Sequence, residues 1–320
     1  MKSKMLFFRG LLAAIAILPL PVRAAGLEGF VKVPYVVKDN RYILRCTLNG
    51  KPLNMVIDCG AYATLIDKGV FDSAIPKSQQ IVPKGVPAKV SANGEPVPVL
   101  LARNLQAGGI SFGDLPVLVY DMTRNNFFVR NFGRYLESAN EQVIIEGLIG
   151  LDILRSHSAI IDTTHQVIYF DPTRSKRGGH LGDNMKRFGF KRVQMVQDRY
   201  ANLEVPCTIQ GKPGRMLVDT GAYLTLINYN IARAAGVSVR PSSSLMSGIK
   251  VPWGLGVGGR GPSELLIAEP SQFKVGEFSF QKAPVGCLPL DFATDGFLGP
   301  DYLEKGHAFL DFGDNSLFLK

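Results

Sequence analysis

Hydrophobic and polar positions alternate in short runs along most of the chain. Residues 42–48, 97–102, 116–120 and 167–170, with the shorter apolar run 55–57, read as β-strands. Asn49-Gly50 and Gly211-Lys212-Pro213 mark tight turns between such runs. Helical periodicity is confined to 152–156, 302–305 and 228–235. The pattern predicts a mostly β chain with a few short helices. A polar, basic stretch at 171–187 reads as a connector.

The first two dozen residues follow another pattern. Lys2, Lys4 and Arg9 precede an apolar run at 11–20, and Val22-Arg23-Ala24 offers small residues for cleavage. This is the layout of a secretory signal. The run is broken by Pro19 and Pro21, short of the roughly 20 residues that a membrane helix needs. The expectation is a signal peptide at 1–24 and a mature chain exported to the periplasm or beyond the cell, without a transmembrane domain.

The apolar pattern also repeats. Cys46 to Pro52 runs into Met55-Val56-Ile57-Asp58-Cys59-Gly60-Ala61-Tyr62, and Cys207 to Pro213 runs into Met216-Leu217-Val218-Asp219-Thr220-Gly221-Ala222-Tyr223. Asp58 and Asp219 are 161 residues apart, as are Cys46 and Cys207. A second block, Gly147-Leu148-Ile149-Gly150-Leu151-Asp152, returns as Gly296-Phe297-Leu298-Gly299-Pro300-Asp301, at an offset of 149. The first copy therefore holds 12 extra residues, placed within 121–146. A duplicated architecture follows: an N-terminal lobe at 25–175 and a C-terminal lobe at 176–320.

Composition adds little. The formal net charge is +9, and four of the positive charges (Lys2, Lys4, Arg9 and Arg23) belong to the leader. The rest are scattered, with no aromatic-interleaved basic stripe, so nucleic acid is not an expected partner. Four cysteines in an exported chain allow three full pairings. Cys207–Cys287 is the favoured one, while the repeat equivalents Cys46 and Cys207 are expected far apart. No C-x-x-C is present and the four histidines are scattered, so neither a metal nor a cofactor is expected.

An Asp closing an apolar strand, then a small hydroxyl residue and Gly, is the hallmark of aspartic peptidases. Asp219-Thr220-Gly221-Ala222 carries it fully, and Asp58-Cys59-Gly60-Ala61 carries it except at Cys59. Leu148-Ile149-Gly150 and Phe297-Leu298-Gly299 resemble the family's apolar-apolar-Gly signature. The chain resembles exported bacterial retropepsin-like proteins with two halves in one chain, over roughly residues 30–320.

The resemblance implies a bilobal acid-protease fold of two pseudo-twofold-related, barrel-like lobes. It implies an aspartic endopeptidase in which Asp58 and Asp219 share one proton and activate water. Gly60 and Gly221 would let the two loops approach. Thr220 would contribute to the hydroxyl lock that the family keeps beneath the dyad. Cys59 departs from that pattern, because a thiol is a weak donor and acceptor. It reads either as a tolerated small residue that packs and bonds weakly, or as a sign of lowered activity, a redox-sensitive site, an inactive relic, or a peptide-binding protein that cuts poorly. One chain carries both halves, so a monomer acting on peptides or proteins, best at acidic to mildly acidic pH, is expected.

Hairpin flaps are expected to cover the substrate. Asn93 and Gly94 lie in the first, and Trp253, Gly256, Gly258 and Gly259 in the second. Gly254, Gly256 and Gly259 also fit a dinucleotide-binding pattern, but no helix pattern follows them. Trp253 either lines the groove or anchors its hairpin. Tyr62 and Tyr223 either flank the cleft or pack in the core. The aromatic and basic insertion, with Phe127, Phe128 and Arg130, either shapes the cleft, contacts a partner, or lies half-buried on its own lobe.

Overall fold

A computed structural model of the chain describes residues 27–92, 95–122, 143–174, 181–241, 250–251, 263–281, 284–290 and 293–320. The leader, most of the insertion and the tip residues of both expected flaps fall outside them. Three large antiparallel-dominated sheets organise the rest.

Two of these sheets have ten strands and the same topology. The first runs, in spatial order, through Lys89–Ala92, Glu95–Ala102, Leu115–Tyr120, Leu65–Asp67, Gly147–Ile149, Lys51–Ile57, Arg41–Leu48, Leu105–Ala107 and Ile110–Ser111, with Val36–Lys38 added onto Arg41–Leu48. The second runs through Val239–Pro241, Leu266–Ala268, Val285–Leu288, Leu226–Asn228, Gly296–Leu298, Lys212–Val218, Leu203–Ile209, Phe273–Val275 and Phe278–Phe280, with Val196–Gln197 added onto Leu203–Ile209. The duplication read from the sequence is thus a duplication of strand order. Even the hairpin turns agree. Asn49 and Gly50 have φ of 48° and 79°, and Gln210 and Gly211 repeat those values. Two consecutive positive φ values make a type I′ turn, whose twist suits a tight hairpin.

The third sheet joins the halves. Its antiparallel order is Val31–Pro34, Val167–Phe170, Ile160–Asp162, Phe309–Asp311, Ser316–Leu319, Lys191–Gln194. At its centre Ile161 pairs with Leu310, its own repeat equivalent, and Ile160 and Asp162 pair with Asp311 and Phe309. Equivalent residues facing each other place the pseudo-twofold axis there. One continuous apolar core runs through this sheet and into both lobes.

Several expectations change. The helix expected at 228–235 spans Tyr229–Ala234, with the Asn228 side chain accepting from Asn230 N at its N-terminus. Helix Lys68–Ala74 went unread, because its N-cap Asp67 also ends a strand. Part of the expected connector is helix Gly182–Arg187, where Met185 is buried. All four cysteines are free and buried, which overturns the Cys207–Cys287 pairing. Three strands separate the two residues in the second sheet, at about 4.8 Å per step. A disulfide tolerates no more than about 7 Å between Cα atoms.

The shared sheet predicts where stability resides. Ile161 is fully buried at the axis. Ile161→Ala should cost about 2–5 kcal/mol in urea unfolding, whereas Tyr200→Ala, on an exposed turn, should stay within about 0.5 kcal/mol.

Candidate active site

Each lobe delivers one Asp by the same local route. Strand Lys51–Ile57 ends at Asp58, whose N–H donates to Ile149 O at 2.9 Å, and strand Lys212–Val218 ends at Asp219, whose N–H donates to Leu298 O at 3.0 Å. The apolar-apolar-Gly blocks are therefore the strands that carry the catalytic-type loops. Gly147–Ile149 runs parallel to Lys51–Ile57, and Gly296–Leu298 does the same beside Lys212–Val218.

Backbone donors then fix both carboxyl groups. Gly60 N and Ala61 N each donate to Asp58 Oδ1 at 3.0 Å. Gly221 N and Ala222 N donate to Asp219 Oδ1 at 2.9 and 3.0 Å. Each carboxyl group lies against the glycine of the other loop, so the two acids face each other across the lobe boundary. The approach demands glycine on both sides. A Cβ on Gly60 would sit 2.6 Å from Asp219 Cγ, and one on Gly221 would overlap the Asp58 carboxyl.

Beneath them the lobes are locked reciprocally. Thr220 Oγ1 donates to Ile57 O at 2.8 Å and accepts from Cys59 N at 3.0 Å. Cys59 Sγ donates to Val218 O at 3.2 Å and accepts from Thr220 N at 3.4 Å. The sequence reading expected the thiol to weaken the lock. The geometry shows all four contacts made, two of them longer because sulfur is larger. Burial, then the Asp219 charge, push the Cys59 thiol up to about 12. The S–H donor is therefore kept across the acidic and neutral range.

A second tier holds each loop. Thr64 Oγ1 and N–H donate to Asp152 at 2.7 and 2.9 Å, and Gly150 N donates to Thr64 Oγ1. Thr225, Asp301 and Gly299 repeat this arrangement. The sequence repeat contained all of these residues, but spacing alone assigned them no task. Arg41 was missed outright. Its guanidinium lies 5.5 Å from the centroid of the Tyr223 ring. Tyr62 is 67% exposed, which rules out core packing for that residue.

The expected first flap is a hairpin, with Ala92 paired to Glu95 and Lys89 to Pro98. Its Asn93 and Gly94 lie outside the described residues. So do Trp253, Gly256, Gly258 and Gly259, although the flanking pairs Lys250 with Glu264 and Val251 with Ser263 are formed. Among the described residues no group of three or more His, Cys, Asp or Glu could hold a metal.

Burial raises both acids. Asp58 is pushed up first by desolvation, then by the Asp219 charge, against the Gly60 and Ala61 donors. Asp219 is raised by desolvation, against Gly221 and Ala222, the Asp58 hydrogen bond and the Arg41 charge. An acid raised on folding stabilises the protein fully below its unfolded pKa, and that contribution fades as pH climbs through the folded one. The urea midpoint should therefore fall between the ordinary carboxylate range and neutral pH. Asp58→Asn should flatten that fall, and Thr220→Val should cost about 1–3 kcal/mol at any pH by orphaning Cys59 N and Ile57 O.

Both lobes match known families. A family model for aspartyl proteases matches residues 44–153, and one for gag-polyprotein aspartyl proteases matches 205–305. No curated protein sequence matches the chain. Among solved structures, a retropepsin-like aspartic protease from Rickettsia conorii is 16% identical, covering 41% of this chain and 90% of its own, with a TM-score of 0.29. Basic 7S globulin from soybean is 11% identical, covering 91% of this chain and 95% of its own, with a TM-score of 0.47. With an aspartyl protease model on each lobe, in register with the repeat, the chain belongs to the retropepsin-like aspartyl proteases and carries two halves in one polypeptide.

Proposed function

We propose that the chain is an aspartic endopeptidase whose dyad is Asp58 and Asp219. The observation that carries this reading is that two backbone-held carboxyl groups face each other at the lobe boundary, each against the other loop's glycine. Two such groups cannot both ionise cheaply, so they hold one proton between them over a broad pH range. The ionised member takes a proton from water as the water oxygen bonds to the peptide carbonyl carbon. The protonated member gives its proton to the carbonyl oxygen. The C–N bond then breaks as the acid that took the water proton gives it to the departing nitrogen, while a hydroxyl of the tetrahedral intermediate returns its proton to the other acid and the carbonyl reforms. Both steps return the pair to its starting charge, and no cofactor enters.

An extended peptide would lie between the dyad and the hairpin Lys89–Ala102, which offers backbone groups to it. Both carboxyl groups come from one polypeptide, so a monomer is the acting unit. The leader pattern assigns this activity to the periplasm or the cell exterior. The complete lock at Cys59 favours an enzyme over a binding protein of the same fold.

The purified mature protein, incubated with denatured casein across roughly pH 3–7, should release peptides detectable by mass spectrometry. Asp58→Asn and Asp219→Asn should each lower the rate by about 10²–10⁴-fold. Equal rates in wild type and both variants would remove the dyad from the chemistry. Absence of cleavage by the wild type on any unfolded substrate would leave a binding protein.

A further inference from the structure

The shared six-stranded sheet has two edges, and they end differently. At one edge Val31–Pro34 pairs with Val167–Phe170, and at the other Lys191–Gln194 pairs with Ser316–Leu319. Successive residues of an antiparallel strand turn their backbone groups alternately to its two sides. Tyr35 N donates to Gln166 O at 3.0 Å, which turns the backbone groups of Val33 inward and those of Lys32 and Pro34 outward. Met195 N donates to Asn315 O at 2.8 Å, which turns those of Val193 inward and those of Arg192 and Gln194 outward.

Pro34 has no N–H to offer, and a proline at that position blunts the first edge. Gln194 takes the corresponding place on the second edge and keeps its N–H. Among the described residues no further strand pairs with Lys191–Gln194, and no hydrogen bond engages the outward backbone groups of Arg192 and Gln194.

A cavity of about 510 Å³ adjoins this second edge. That lies within the roughly 300–1,000 Å³ usual for ligand sites. One wall is the turn at Gly276, where a Cβ would sit 2.7 Å from Val193 Cγ2 and Gly276 N donates to Pro206 O. Another is Phe190 with the end of helix Gly182–Arg187. The charge is one-sided. Lys186 and Lys191 line the cavity and are exposed, and the Lys320 ammonium lies 5.6 Å from the Phe190 ring centroid. Arg192 is already matched by Asp314 at 2.9 Å, which leaves Glu277 as the one acid on the lining.

We infer that the edge Lys191–Gln194 is a docking site for an extended, acidic polypeptide segment, which adds to the shared sheet as a seventh strand. The outward groups of Arg192 and Gln194 would supply the main-chain pairing, and the lysines would select acidic side chains. A second copy of this chain fits poorly. It would bring its own Lys191 and Arg192 to the same edge, and like charges facing across paired strands destabilise the pair. The inference does not rest on the endopeptidase reading.

The probe is a capped peptide of alternating Glu and Val, with the Lys-Val analogue as control, added to the mature protein at neutral pH and low salt. Mass spectrometry checks that the peptide stays intact, and amide exchange is followed residue by residue by NMR. With the acidic peptide, Arg192 and Gln194 N–H should exchange about tenfold more slowly. Lys191→Glu should weaken binding about tenfold, and added salt should weaken it too. Gln194→Pro should abolish binding. Gln194→Ala loses the same side-chain bonds to Asp314 O and Asn315 O but keeps the N–H, and should bind as the wild type does. Should Gln194→Pro fail to fold, the exchange rates in the wild type decide. Absence of binding, equal binding of the basic peptide, or binding that leaves Arg192 and Gln194 exchanging as before overturns the inference. Protection of the two amides that grows with protein concentration alone would assign the edge to a second copy and overturn the acidic partner.

Discussion

Two carboxyl groups pressed together lose hydration and repel once both ionise, and the boundary between the lobes is arranged around that cost. Four backbone N–H groups, two from each loop, receive the carboxyl oxygens. They can do so only if the chain turns sharply immediately after each Asp. The turns can face each other only if Gly60 and Gly221 carry no side chain. The turns stay in place because Cys59 and Thr220 each hold the other lobe's backbone. Further out, Thr64 with Asp152 and Thr225 with Asp301 tie each turn to its own lobe. The six-stranded sheet fixes the axis about which the two sets meet. Remove the close approach, and none of these devices has a reason to exist in matched pairs.

The lock also shows what the pseudo-twofold does and does not require. It requires a small side chain that both donates and accepts at positions 59 and 220. A protonated thiol meets that description, and burial ensures that Cys59 stays protonated. It does not require chemical identity. Weakness of sulfur as a hydrogen-bonding partner in the abstract is offset here by burial and by a fixed geometry that sets the Val218 carbonyl 3.2 Å from the thiol.

Local pattern and repetition made the two facing acids, both glycines and the lock positions legible. Asp58 and Asp219 share an offset with everything around them, and a repeat search registers offsets. It cannot register what is unrepeated. Arg41 stands opposite Asp58 through strand register and has Asn202 as its counterpart, so no spacing marks it. The shared sheet was invisible for a different reason. Val31 pairs with Phe170 and Lys191 with Leu319, contacts between residues far apart in the chain that short strands of four residues do not announce. Helix Lys68–Ala74 hid behind Asp67, which ends a strand and caps the helix with one side chain. The cysteine pairing failed because spacing carries no sheet position, and sheet position separates Cys207 from Cys287.

Symmetry and chemistry then agree. A twofold arrangement is the economical way to bring two equivalent acids together, since one loop design serves twice. Hydrolysis of the proposed kind needs one acid to hold the proton while the other lacks it. Mutual repulsion supplies that difference between equivalent groups, because ionising the first raises the cost of ionising the second. The pair then titrates as one unit, so matched loops are enough to keep a single proton between them.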